Sequence, residues 1–136
     1  MISSLRNRSK VSPVDKHLQL IIILISYYCC LGARAYYMRN ICHDWSDEHC
    51  HTILTNTAKA MEKGYSRLLI DDYVLPNTGA PVRGSSMDIL MMMYASGMER
   101  MLSQWEKVLD ASGLEIIKIW GTDSDYEQVI ETQLKT

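Results

Sequence analysis

Eleven consecutive residues, Ile41 to His51, hold three of the four histidines and two of the four cysteines of this 136-residue chain. An apolar run ends just before this segment and a helix is predicted to begin within it. Junctions between a strand and a helix carry the ligand sites of many α/β folds. Histidine titrates close to neutral pH and also binds metals. Acid–base chemistry and metal binding are therefore the two candidate functions of this segment.

Acid–base chemistry has three candidate residues, each at the end of a predicted element. His43 follows the first strand, Asp72 comes at the end of the second, and Glu99 follows a methionine-rich helix. Because the carboxyl ends of neighbouring parallel strands face one crevice, these side chains are expected to meet there. A histidine oriented by a carboxylate is a general base suited to neutral pH. Taken singly, each residue has a plainer explanation, since a lone histidine is more often a surface or capping residue and strand-end carboxylates are usually solvated.

Metal binding is the rival chemistry, because cysteine and histidine are the usual zinc ligands. The spacing argues against it. His49, Cys50 and His51 are consecutive on a predicted helix and splay around it, and the sequence contains no C-x-x-C or H-x-x-x-H pair. A Cys42–His43 nucleophile is less favoured still, since adjacent side chains on an extended strand end point apart. We therefore expect no metal site.

The apolar pattern predicts alternating strands and helices. Strands are predicted over 35–41, 66–75, 114–120 and 126–132, and helices from Ser46 or Asp47 to Lys63, from Ser85 or Ser86 to about residue 96, and over 102–109. An oxygen of the Ser46 or Asp47 side chain is expected to cap the first helix. One face of that helix is predicted to be buried, because its members recur at spacings of three and four; they are Cys50, Ile53, Leu54, Thr57, Ala58 and Met61.

Connections through helices predict a parallel sheet, and the tight turn between the last two strands predicts that these two pair antiparallel. The expected fold class is α/β, with an antiparallel edge. The chain length suits one domain, and a hydrophobic content of 47% suits a packed core. A formal charge of −2 argues against a nucleic-acid partner. Four cysteines without a disulfide-scaffold spacing indicate a reducing, cytoplasmic location.

Residues 1–32 form a leader with a polar start and an apolar segment, Leu18–Leu31. This segment has 14 residues, whereas a helix needs about 20 to span a bilayer. A buried strand or helix is therefore favoured over a membrane role.

Four segments, taken in order, resemble the C-terminal catalytic half of plant and fungal S-adenosylmethionine (SAM)-dependent O-methyltransferases; they are Ile41–Cys50, Leu68–Pro76, Met87–Ile89 and Gly97–Arg100. The first is the most specific, and the segments after Gly113 favour the fungal secondary-metabolite branch. The resemblance leaves residues 1–32 unmatched. It implies that residues 33–136 form part of a Rossmann-like class I methyltransferase sheet, namely its last four strands with flanking helices.

The resemblance also implies roles for individual residues. His43 matches the base that deprotonates the acceptor hydroxyl, and Asp72 and Glu99 match the carboxylates that hold its ring. The positions beside the SAM cofactor are Arg39, Asp44 and Trp45, and those that shape the acceptor pocket are Met91 and Met92. The implied acceptor is an aromatic hydroxyl of a small molecule, and the family forms homodimers.

The sequence departs from the family pattern in ways that leave an alternative open. Asp72 stands where the family usually has Glu, so its shorter side chain is expected not to reach His43 directly. No Gly-rich loop follows a strand, and the family's first three strands and dimerisation region have no counterpart. The alternative is an inactive, truncated remnant that acts as an interaction or regulatory protein. The isoleucine-rich part of the leader is expected to cover the bare edge of the first strand or the adjacent face of the sheet.

Overall fold

The computed structural model describes residues 31–94, 97–121 and 126–136. The elements, in chain order, are β1 (Ala35–Arg39), a 3₁₀ turn (Cys42–Asp44), α1 (Asp47–Ala60), β2 (Arg67–Asp72), β3 (Val74–Leu75), α2 (Val82–Tyr94), β4 (Arg100–Met101), α3 (Leu102–Ala111), β5 (Leu114–Trp120) and β6 (Gln128–Leu134). We call the 3₁₀ turn the His43 turn.

Four of the strands form one mixed sheet in the order β1-β2-β6-β5. β1 and β2 are parallel, and β6 runs antiparallel to both β2 and β5. The predicted α/β class and the antiparallel pairing of the last two strands are therefore confirmed. A second, parallel sheet of two strands, β3 and β4, was not predicted, because two-residue strands carry no readable periodicity.

Helix α1 buries the face that the sequence predicts. All six residues with the three-and-four spacing, Cys50, Ile53, Leu54, Thr57, Ala58 and Met61, are buried. Four of them, Cys50, Leu54, Ala58 and Met61, pack with Trp105, Val108 and Leu109 of α3 and with apolar residues of β2, β5 and β6 to make the core. Burying such a face supplies most of the stability of a helix this short.

Strand β2 alternates strictly between half-buried and buried residues. Leu68, Ile70 and Asp72 share the buried face, because side chains of a strand alternate with a period of two. Asp71 consequently faces the other way, where it pairs with Arg39 at 3.5 Å. The same alternation that builds the core thus turns one carboxyl group, that of Asp72, inward.

Several predicted boundaries were wrong. The strand predicted over 66–75 is interrupted at Tyr73 and continues as β3 in the second sheet. Helix α2 begins at Val82 and not at Ser85 or Ser86, since the N–H of Ser85 already donates to the carbonyl of Pro81. The last strand is shifted two residues, to Gln128–Leu134.

Ser46 occupies the cap position of α1, but its side chain does not cap the helix. Its hydroxyl pairs with the Nδ1 atom of His49 at 2.9 Å. The predicted location of the cap was right, and the predicted hydrogen bond was wrong.

The predictions for residues 1–30, including the apolar segment Leu18–Leu31 and its cover over β1, lie outside the described residues. Within the ranges that the structure describes, no helix is long and apolar enough to cross a membrane.

Candidate active site

Sheet topology brings the ends of β1 and β2 together. The two strands are parallel and in register, with Arg39 opposite Asp71. The His43 turn follows β1, and Asp72 ends β2, so the two side chains emerge at the same edge of the sheet. This is the edge at which open α/β sheets bind their ligands.

The small second sheet brings Glu99 to the same place. β4 pairs with β3 in parallel, and Arg100 lies opposite Val74. The residue before Arg100 is Glu99, and the residues before Val74 are Tyr73 and Asp72. Glu99 therefore arrives beside the end of β2, although 27 positions separate it from Asp72 in the sequence.

The three predicted acid–base residues do meet. The Nδ1 atom of His43 lies 3.0 Å from Oε1 of Glu99, which is a hydrogen bond. The same Nδ1 lies 3.8 Å from Oδ1 of Asp72, within ion-pair range but too far for a hydrogen bond. This distance agrees with the expectation that the shorter carboxylate would not reach the ring. Asp44 approaches the other ring nitrogen, with 3.6 Å between Nε2 and Oδ1.

The hydrogen bond to Glu99 sets the protonation of the imidazole ring. An ionised carboxylate only accepts hydrogen bonds, so Nδ1 of His43 carries the proton and donates it. In the neutral ring, Nε2 then has a free lone pair. His43 is buried, with 8% of its surface exposed. The arrangement presents one basic nitrogen whose ring is fixed by a buried carboxylate.

Burial and charge shift two pKa values here in the same direction. The hydrogen bond to Glu99 raises the pKa of His43 above 6.5, with the charges of Asp72, Glu99 and Asp44 adding to the rise and burial opposing it. Burial raises the pKa of Asp72 to about 7, with the charge of Glu99 adding and that of His43 opposing. Neither oxygen of Asp72 has a hydrogen-bond partner in the described part of the chain. Both groups therefore keep their protons to a higher pH than they would in water.

Two residues that the sequence did not single out support this geometry. The carboxylate of Asp88 accepts a hydrogen bond from the backbone N–H of Glu99 at 2.8 Å. Gly97 passes so close to the His43 turn that a Cβ there would overlap the carbonyl oxygen of His43. That carbonyl accepts a hydrogen bond from the N–H of Met98 at 2.9 Å. Both residues stand within the segments that carry the family resemblance, which is the only signal that could have marked them.

The residues predicted to lie beside a cofactor surround the His43 turn. The side chain of Arg39 is 60% exposed and pairs with Asp71. The side chain of Asp44 is 47% exposed, and the half-buried indole of Trp45 packs against the core. Asn40, between Arg39 and the turn, adopts a left-handed backbone with φ of 51°. Its side-chain oxygen is buried without a partner in the described part of the chain.

A cavity of about 560 Å³ opens beside Glu99. Its lining combines apolar side chains with a few polar ones, and includes Leu75, Asp88, Ile89, Met92 and Met98. Met92, one of the two residues predicted to shape an acceptor pocket, lines this cavity. Met91 is buried, with 8% of its surface exposed, and is not part of the lining.

The remaining histidines and cysteines of the segment have other partners. His51 pairs with the carbonyl of Ala111 at 3.1 Å, and the thiol of Cys50 donates to the carbonyl of Cys42 at 3.1 Å. No group of three or more histidine, cysteine, aspartate or glutamate residues within the described ranges is arranged to hold a metal ion.

Comparisons with known proteins agree on a family. A model described as the O-methyltransferase domain matches residues 30–115. The O-methyltransferase ATR12 of Stachybotrys chlorohalonatus is 46% identical over 105 residues, which are 77% of this chain and 27% of ATR12. The demethylsterigmatocystin 6-O-methyltransferase stcP of Emericella nidulans is 40% identical over 99 residues, 73% of this chain and 48% of stcP. The chain therefore spans half or less of the relatives it matches.

Solved structures share the fold. The crystal structure of OxaC in complex with sinefungin and meleagrin has a TM-score of 0.70 and 39% identity, covering 77% of this chain and 27% of OxaC. A structure described as a pericyclic reaction enzyme has a TM-score of 0.72 and 31% identity, covering 77% of this chain and 27% of that enzyme. Because one fold serves more than one reaction, the chemistry has to be argued from the side chains of the site.

Proposed function

Since this chain belongs to the O-methyltransferase domain family, we propose that it acts in SAM-dependent O-methylation of an aromatic hydroxyl on a small molecule. His43 is the general base of this reaction. Glu99 holds its ring, and Asp72 adds a second buried carboxyl group beside it. The observation that carries the proposal is the 3.0 Å hydrogen bond between Nδ1 of His43 and Glu99, which leaves Nε2 free to accept a proton.

In water, O-methylation has no base positioned to remove the proton of the acceptor hydroxyl. A phenolic hydroxyl has a pKa of about 10, so at neutral pH it is a poor nucleophile until its proton is removed. A positioned general base accelerates such a step by roughly 10² to 10⁴-fold. When Nε2 takes the proton, the ring becomes a positively charged imidazolium. Glu99 is hydrogen-bonded to its Nδ1 atom, and Asp72 and Asp44 lie nearby. Three surrounding carboxyl groups stabilise that positive charge, which favours proton removal.

Bound SAM would supply an electrophilic methyl group on a positively charged sulfur. Methyl transfer to the acceptor oxygen would form the new oxygen–carbon bond as the carbon–sulfur bond breaks, with its electron pair left on sulfur. The acceptor's proton has already passed to Nε2 of His43, so the charges balance. The task of the protein is to hold the acceptor oxygen in line with the breaking bond.

The described residues fit one side of a SAM site. Arg39 offers an exposed cation for a carboxylate, and Trp45 offers an aromatic surface. The unpartnered side-chain oxygen of Asn40 is a free acceptor between them. The sequence offers no Gly-rich loop for the rest of the cofactor. We therefore propose that these residues contribute one wall of the cofactor site.

The cavity beside Glu99 is the proposed acceptor pocket. Its volume of about 560 Å³ suits a drug-sized aromatic molecule. Met92 and Met98 give it polarizable, adaptable walls. OxaC was crystallised with SAH and oxaline, which supports a small-molecule acceptor by analogy.

Methyl transfer tests the proposal directly. The purified chain is incubated with methyl-labelled SAM and a panel of small phenols, and label in the products is measured, alongside calorimetry of SAM binding. We expect label on the acceptor oxygen, loss of that label in His43→Gln, and unchanged SAM binding in the same variant. His51→Gln is the matched control, because His51 is exposed and contacts only Ala111 among the described partners. Absence of SAM binding at millimolar concentration would refute the proposal for this chain.

A second candidate is an interaction or regulatory protein without cofactor. The observation in its favour is the exposed apolar face of α2, where Ile89, Leu90 and Met93 are between 53% and 84% exposed. Contiguous exposed apolar surface commonly marks a binding site for another protein. Calorimetry separates the two candidates, since only the methyltransferase requires SAM to bind.

A further inference from the structure

Arg100 is fully buried, which is unusual for a side chain that is always charged. Its guanidinium makes three hydrogen bonds. Nε donates to Oδ1 of Asp47 at 2.9 Å, one terminal nitrogen donates to the carbonyl of Cys42 at 2.8 Å, and the other donates to the carbonyl of Trp45 at 2.7 Å. The guanidinium also lies 5.5 Å from the ring centre of Trp105. A buried charge persists only where it is paired and hydrogen-bonded in this way.

The acceptors of these bonds flank the proposed base. Cys42 directly precedes His43, and Trp45 follows Asp44, so the guanidinium bridges the two ends of the His43 turn. The turn's own hydrogen bond, from the N–H of Trp45 to the carbonyl of Cys42, is long at 3.3 Å. The two shorter hydrogen bonds from Arg100 to the carbonyls of Cys42 and Trp45 further stabilise the turn.

Three consecutive residues, Met98, Glu99 and Arg100, form hydrogen bonds with the His43 turn. The N–H of Met98 donates to the carbonyl of His43, the carboxylate of Glu99 accepts from its ring, and Arg100 binds the carbonyls on either side. Backbone and ring of His43 are therefore held by one short segment that enters β4. The position of the ring relative to Glu99 therefore depends on the His43 turn and this segment keeping their positions relative to each other.

We propose that Arg100 is a positioning residue: its guanidinium clamps the His43 turn so that the imidazole keeps its hydrogen bond to Glu99. The role requires arginine. The planar guanidinium presents donors in a fixed fork that reaches two carbonyls and a carboxylate at once. A lysine ammonium has the same charge and no such fork, so Arg100→Lys keeps the cation and loses the clamp.

The pKa of His43 tests whether Arg100 positions the ring. It is measured by NMR titration of the imidazole in this chain without SAM or acceptor. The groups facing the ring are Glu99, Asp72 and Asp44. In Arg100→Lys the ring is expected to leave Glu99, so the titration midpoint falls toward 6.5, the ordinary value. Lysine keeps the positive charge, and any loss of that charge would instead raise the midpoint, because a nearby cation disfavours imidazolium. The direction in which the His43 midpoint changes therefore shows whether Arg100 acts by positioning the ring or only through its charge.

The matched control is Arg67→Lys. Arg67 is partly buried, pairs with Glu131 of β6 at 3.6 Å and, like Arg100, donates to a backbone carbonyl, but it does not contact the His43 turn. We expect Arg67→Lys to leave the His43 midpoint unchanged. An unchanged midpoint in folded Arg100→Lys would overturn the proposal and leave Arg100 a residue of the core alone.

A second pair of variants decides the question if Arg100→Lys does not fold. Asp47→Asn removes the negative charge that pairs with the guanidinium, which weakens its exposed anchor, and should lower the His43 midpoint by a smaller amount. Glu48→Gln makes the same change of charge one residue further along α1 and should leave it unaltered. Equal effects of these two variants would overturn the proposal. The positioning role of Arg100 rests on the proposed function only in calling His43 the base. Failure of methyl transfer would therefore not change the expected titration midpoints of His43.

Discussion

Asp72→Asn is expected to make the protein more stable above neutral pH. The side chain of Asp72 is fully buried, and its pKa rises from 3.8 to about 7. Between these values the unfolded chain has released the proton while the folded protein retains it. Stability therefore falls as pH rises through this window, and the fall ends once the folded-state carboxyl has also ionised. Asparagine resembles the protonated acid in shape and never ionises.

The size of the effect follows from the width of the window. From 3.8 to about 7 is roughly three pH units, and each is worth about 1.4 kcal/mol. Ionisation of Asp72 thus costs the folded state roughly 4 kcal/mol, of which about 3 kcal/mol falls between about pH 5 and about pH 9. His43 acts in the same sense, because its raised pKa gives stability that is present below 6.5 and lost as pH rises through the folded-state value.

Urea unfolding followed by tryptophan fluorescence measures the difference at several pH values. The gain of Asp72→Asn over the natural sequence should grow by about 3 kcal/mol from about pH 5 to about pH 9. Asp71→Asn is the control. It removes the neighbouring charge on the opposite face of β2, where Asp71 pairs with Arg39 and accepts a hydrogen bond from Tyr37 at 2.5 Å. A difference that stays constant with pH in Asp72→Asn would refute the reasoning, since it would mean that the folded protein holds Asp72 ionised.

Two further substitutions probe the site. Glu99→Gln should lower the pKa of His43 toward 6.5, because it replaces the carboxylate whose hydrogen bond raises this pKa most by a neutral amide. Asp44→Asn should lower it less, and NMR titration that ranks the two in the other order would contradict this. Gly97→Ala should destabilise the protein by about 2 kcal/mol or more, because its Cβ would overlap backbone. Gly84→Ala is the contrast in thermal unfolding. Its Cβ would meet a methyl group of Leu75 at 2.5 Å, which is side chain and not backbone, and the helix gains alanine propensity, so a loss equal to that of Gly97→Ala would argue against the close approach.

Much of the site could be predicted because it rests on strong, local patterns. The apolar runs located β1 and β2, and the rule that parallel strand ends share a crevice placed His43 beside Asp72. The single buried face of α1 was readable from its spacing. In these cases one short stretch of sequence contains the whole physical cause of the structure.

The rest depends on contacts between distant parts of the chain. Glu99 reaches His43 through the pairing of β3 with β4, and strands of two residues have no pattern to read. Arg100 looks like a surface residue, since its acceptors lie 53 to 58 positions away and two of them are backbone carbonyls. Ser46 shows the converse, because a suitable cap residue bonded instead to His49 nearby.

The central claim is that Glu99 holds the His43 ring so that Nε2 is the basic nitrogen. Nitrogen NMR of the chain labelled with ¹⁵N-histidine, recorded above the pKa of His43, tests this most directly by showing which ring nitrogen carries the proton. We predict the proton on Nδ1 and an unprotonated Nε2, with this preference weakened in Glu99→Gln, whose neutral amide offers both an acceptor and a donor to Nδ1. A proton on Nε2 in the natural sequence would contradict the account, because the free lone pair would then lie on Nδ1, facing Glu99, and Nε2 could not accept a proton from a substrate.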